Sequence, residues 1–108
     1  MIRVLHVPVG GAPAVIEIEP GLAAMQSLVG GYIEAVHQRR LLPPGVCLYC
    51  NEEGIELELP PNGCGILGAY FFSAIDSRGN ARSLDSGELA ACSVFYLMHR
   101  TIQHPCAR

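Results

Sequence analysis

The run Ile66 to Ile75 constrains this chain more than any other stretch. It is almost wholly apolar and carries Tyr70, Phe71 and Phe72 in succession. A strand turns successive side chains to opposite faces, so three consecutive aromatics need cover on both sides. Such a strand belongs in the interior of a sheet with something laid over each face. A chain of 108 residues has material for one core of that kind and not for two. The expected fold is therefore α+β: a single small domain, mostly antiparallel sheet, with one short and one longer helix. The expected domain runs over residues 1–103, with 104–108 a flexible tail.

The rest of the chain supplies the partners such a strand requires. Ile2 to Val9 and Ala14 to Glu19 read as a hairpin across Gly10-Gly11-Ala12-Pro13, because Ile16 and Ile18 alternate with Glu17 and Glu19. From Pro20 to Val29 the period becomes helical, with Leu22, Met25, Leu28 and Val29 on one face and Gly30-Gly31 at the C-terminal end. Tyr32 to His37 is a strand candidate, followed by a loop through Gln38-Arg39-Arg40 and the double proline Pro43-Pro44. The apolar run Val46 to Cys50 comes next. Asn51-Glu52-Glu53-Gly54 has the composition of a tight turn, and alternating Ile55, Leu57 and Leu59 predict a second hairpin after it. Asp85 and Glu88 have the spacing of a capping box, opening a helix through about Arg100. Its face of Leu89, Cys92, Tyr96 and His99 is expected to lie on the sheet.

Composition excludes several classes of function. Seven basic against ten acidic residues give a net charge of −3, the wrong sign for a protein that tracks a phosphate backbone. The longest uncharged stretch, Leu59 to Ile75, contains Pro60, Pro61, Asn62 and three glycines, so it does not read as a membrane helix. Cys47, Cys50, Cys64, Cys92 and Cys106 are odd in number, and Arg3 and His6 interrupt any secretory leader. A cytoplasmic protein with reduced thiols is the expectation.

Three motifs occur in order: Val29-Gly30-Gly31-Tyr32-Ile33-Glu34, Cys50-Asn51-Glu52-Glu53-Gly54, and Leu59-Pro60-Pro61-Asn62. Together they resemble domain of unknown function 3846, a family of short phage, plasmid and bacterial proteins. The resemblance spans Ile2 to Leu89. It implies a mobile-element setting and carries no catalytic residues across. The chain departs from the family pattern in the cysteines at 47, 50 and 64 and in a helical end extended to Arg108.

The candidate ligand-binding residues are Tyr32, Glu34, Asn51, Glu52, Glu53 and Asn62. Tyr32 and Glu34 fall two apart on one strand, where a ring and a carboxylate make a lip for a polar aromatic ligand. Glu52 and Glu53 offer paired carboxylates for acid–base work or a hard cation, although adjacent carboxylates in a turn ordinarily just solvate it. Asn62, after two prolines and beside Gly63 and Gly65, offers amide donors on a rigid loop, without the Gly-Lys-Ser or Gly-Lys-Thr ending of a phosphate-binding loop. Cys47 and Cys50 have a C-x-x-C spacing, but strand geometry sends them to opposite faces, so no metal and no cofactor are expected. His6, His37, His99 and His104 show no spacing of a triad or ligand set.

The functional expectation is a non-enzymatic binding module: a phage or mobile-element accessory protein that engages a host factor or sequesters a small nucleotide-like ligand. A small carboxylate-dependent enzyme and a structural or assembly subunit are the alternatives. Nucleic acid and membrane are not expected partners. With 50% hydrophobic residues, 16% charged residues and a mean hydropathy of +0.31, a homo-oligomer is expected, most simply a two-fold dimer through Val94, Phe95, Leu97 and Met98.

Overall fold

A computed structural model describes residues 1–36 and 41–101. The chain runs β1 (Ile2–Val7), β2 (Ala14–Ile18), α1 (Leu22–Val29), β3 (Ile33–Val36), β4 (Val46–Asn51), β5 (Tyr70–Ile75), β6 (Ala81–Arg82) and α2 (Ser86–His99). The strands form one antiparallel sheet in the order β2-β1-β5-β4-β3, with β6 added beside β5. This is the expected α+β architecture, with a short and a longer helix.

Strand β5 lies at the centre of that order, and Tyr70 through Ala74 are all buried. Its pleat divides the interior in two. Tyr70, Phe72 and Ala74 join Leu5, Val7, Leu48, Cys50, Leu84, Cys92 and Phe95 on the α2 side. Phe71 joins Ile2, Val4, Ile18, Met25 and Val29 on the α1 side. Phe72 meets Phe95 edge-on at 5.8 Å between ring centroids, while Tyr49 stacks on Phe71 at 5.3 Å.

The two helices start differently. Asp85 caps α2, accepting from the Glu88 amide at 2.7 Å, and Glu88 returns a carboxylate to the Asp85 amide at 3.0 Å. Gly21 precedes α1 without any side-chain cap. Gly30 ends α1 in the left-handed conformation at φ 76, which only glycine adopts without strain.

Three expectations are corrected. No second hairpin follows Asn51: residues 52–58 are successive turns, with the Leu57 amide donating to the Glu53 carbonyl at 2.9 Å and Glu58 at φ 54. Ile55 and Leu57 are exposed, so their alternation marks no buried strand face. On α2 the inward face is Glu88, Cys92 and Phe95, flanked by Leu89 and Tyr96. Phe95 is therefore a core residue and not part of an outer contact; positions 88, 92 and 95 follow the 3.6-residue period that faces the sheet. The apolar run also starts its strand late, since Ile66 and Leu67 lie in the preceding loop, where Leu67 bridges Pro61.

Candidate functional site

The three motifs meet at one end of the sheet. Val7 at the end of β1 pairs with Tyr70 at the start of β5, and Tyr70 pairs with Cys50 near the end of β4. Ile33, at the start of β3, pairs with Asn51. The segments bearing Tyr32, Asn51 to Gly54 and Asn62 thus leave the same edge of the fold.

Asn51 organises this end from inside. It is 1% exposed, and its amide nitrogen donates to the Val29 carbonyl at 3.1 Å while its oxygen accepts from the Glu53 amide at 2.7 Å. One side chain therefore closes the C-terminal end of α1 and shapes the acidic turn. The approach is close enough that a Cβ at Gly31 would stand 2.9 Å from the Asn51 nitrogen. The Glu52 amide donates to the Tyr32 carbonyl at 2.8 Å, which ties the turn to the segment before β3.

Asn62 performs a similar task for the proline loop. Its nitrogen donates to the Val7 and Gly68 carbonyls at 3.1 and 3.0 Å, and its own amide donates to the Ile66 carbonyl at 2.9 Å. The loop is also pinned to the end of α2, because the Cys64 amide donates to the His99 carbonyl at 2.9 Å. A Cβ at Gly63 would fall 2.5 Å from the Arg100 carbonyl oxygen, and Gly63 has φ 80, so this contact needs glycine twice over.

What remains at the surface is Tyr32, 63% exposed, with Glu52 and Glu53, both exposed. Glu34 lies further along β3, half-buried and opposite Cys50. The site residues thus divide: Asn51 and Asn62 commit their amides to backbone, whereas Tyr32, Glu52 and Glu53 face outward. Tyr32 stands before β3 rather than within it.

Other chemistry-bearing groups lie away from this end. Cys47 and Cys50 lie on opposite faces of β4, Cys50 in the α2-side core and Cys47 beside Tyr49 on the other. Burial raises the pKa of the Cys47 thiol and of the Tyr49 phenol beside it. Tyr70 donates its hydroxyl to the Cys64 sulfur at 3.3 Å and is raised by burial and by that bond. Burial, with the Glu88 charge adding to it, pushes Cys92 up to about 12. The Arg82 guanidinium grips both Glu88 oxygens at 2.7 and 2.8 Å and holds that carboxyl down to about 2. This pair went unread in the sequence; the six-residue spacing from a two-residue strand to a capping-box glutamate is its only signal. Among the described residues no group of three His, Cys, Asp or Glu residues could hold a metal ion, and no helix is long and apolar enough to cross a membrane. His37, Arg39, Arg40 and the tail with His104 lie outside the described residues.

Residues 2–93 of the 108 match the family model described as Domain of unknown function (DUF3846). No curated protein and no solved structure matches the chain.

Proposed function

The chain belongs to the DUF3846 family, and on that premise we propose that it is a non-enzymatic binding module, engaging a partner protein through Tyr32, Glu52 and Glu53. In the mobile-element setting that the family resemblance implies, the partner is a host protein. The observation that carries this reading is the buried Asn51, whose two hydrogen bonds fix the acidic turn to the end of α1. A surface held from beneath is ordered before it binds, so little entropy is lost on docking.

The chemistry selects the partner. An exposed tyrosine whose backbone is tied to a turn bearing two exposed carboxylates suits a segment bearing lysine or arginine, through ion pairing and cation–π contact. The same carboxylates repel phosphates, which counts against a nucleotide. Glu52 and Glu53 stand exposed on a turn, whereas acid–base catalysis draws on groups enclosed with the substrate, which counts against the enzyme reading. Asn51 and Asn62 enter as the frame of the site, and Glu34 as a flanking carboxylate on β3.

An amide-resolved NMR titration with a hexalysine peptide and, separately, with ADP tests the reading. Hexalysine is expected to shift Tyr32, Glu52 and Glu53, and the response is expected to vanish in a Glu52→Lys/Glu53→Lys variant. Shifts at these residues with ADP, or none with hexalysine, contradict it.

A further inference from the structure

Helix α2 is apolar on two sides. Glu88, Cys92 and Phe95 face the sheet, while Ala90, Ser93, Val94, Leu97 and Met98 are exposed on the opposite side. Val94, Leu97 and Met98 are 53%, 58% and 67% exposed. These positions follow the helical period, so they form one stripe along the helix.

We propose that this stripe pairs with the same stripe of a second copy, the two α2 helices running antiparallel about a two-fold axis at Val94. The order of residue sizes along the stripe argues for that occupant. Gly87 and Ala90 are small and lie at its start; Leu97 and Met98 are large and lie at its end. Antiparallel pairing centred on Val94 sets Ala90 level with Met98 of the second copy, so the large Met98 fills the space over the small Ala90, while Gly87 lies level with position 101 just past the end of the other helix. Parallel pairing would stack Met98 on Met98 and leave a gap at the glycine. Charge agrees: the stripe carries none, so a two-fold brings no like charges together. The exposed Asp85 at the start of one helix comes within about one turn of the exposed Arg100 at the end of the other. One helix pair falls short of the roughly 800 Å² per partner of a standard interface, so the dissociation constant is expected at about micromolar or weaker.

Sedimentation velocity on the full chain, from about 1 to about 300 µM to span that range, tests the pairing, with circular dichroism confirming the fold of each variant. The wild type is expected to form dimers, and Leu97→Glu and Val94→Glu to raise the dissociation constant at least about tenfold. The register is tested by Ala90→Asp and Met98→Lys, each expected to weaken the dimer alone and to restore it when combined. A wild type that stays monomeric throughout, as when residues 102–108 cover the stripe, overturns the proposal. So does association unchanged by Leu97→Glu and Val94→Glu, and a double variant no better than its singles overturns the antiparallel register.

Discussion

On the α2 face of the sheet, a 14-residue helix with a reciprocal cap and an ion pair at its start lies over a core of aromatics and leucines. On the α1 face, an eight-residue helix without a side-chain cap covers a smaller cluster, and its C-terminal end is closed from below by Asn51. The first face is fixed by its own helix; the second is fixed by a side chain from a strand. An isolated eight-residue helix is too short to persist in water, so α1 depends on tertiary contacts. The Asn51 side chain that supplies one of them also shapes the acidic turn, and this is how stability on one face and the proposed binding surface share a residue.

The largest effect is expected when each core is cut at the same strand. Phe72→Ala and Phe71→Ala remove fully buried rings from the α2 and α1 sides. Each is expected to cost about 3–5 kcal/mol in urea unfolding, with Phe72→Ala the larger because it strips contacts from both Tyr70 and Phe95. Equal costs would mean that the two faces carry equal weight.

Asn51→Ala comes next, at about 2 kcal/mol, since it leaves the Val29 carbonyl and the Glu53 amide without their partner. Hydrogen exchange should rise at α1 and at residues 52–54 and stay unchanged in α2. Protection lost equally in both helices would show that the faces are not separately fixed.

Acid titration probes the α2 face. The Glu88 carboxyl sits at about 2 when folded against an ordinary 4.5. A depressed carboxyl contributes stability that is present above the ordinary value and is lost as pH falls from about 4.5 towards 2. Discounted for solvent around Arg82, the loss is expected at about 1–2 kcal/mol. Glu88→Gln should flatten that part of the stability profile. Asp85→Ala removes the reciprocal cap and should cost about 1 kcal/mol. Tyr32→Ala is the smallest change, within about 0.5 kcal/mol, because an exposed ring contributes little to folding.

The sequence discloses elements where only one arrangement satisfies the residues. Three consecutive aromatics demand a strand covered on both faces, and Asp85 with Glu88 demands a helix start; both are present as read. Ile55, Leu57 and Leu59 misled because alternation suits a strand and also a chain of turns, and Gly54 packed on Leu67 decides between them through contacts remote in sequence. Phe95 misled because a helix apolar on two sides has no unique phase until the sheet supplies one. At the candidate site, the motifs named three segments that the fold brings to one end of the sheet, but an asparagine in a turn has one sequence signature whether its amide points inward or out. Asn51 and Asn62 point inward, and only the carbonyls they reach reveal it.

Tyr32, Glu52 and Glu53, held by Asn51, are the surface proposed to engage a partner. Native mass spectrometry of the tagged chain purified from its own host tests it most directly, comparing wild type with Tyr32→Ala/Glu52→Gln/Glu53→Gln and with Leu97→Glu. A bound protein is expected on the wild type and on Leu97→Glu, and its loss from the triple variant with the fold intact. A partner retained by the triple variant, or an organic phosphate bound in its place, would contradict it.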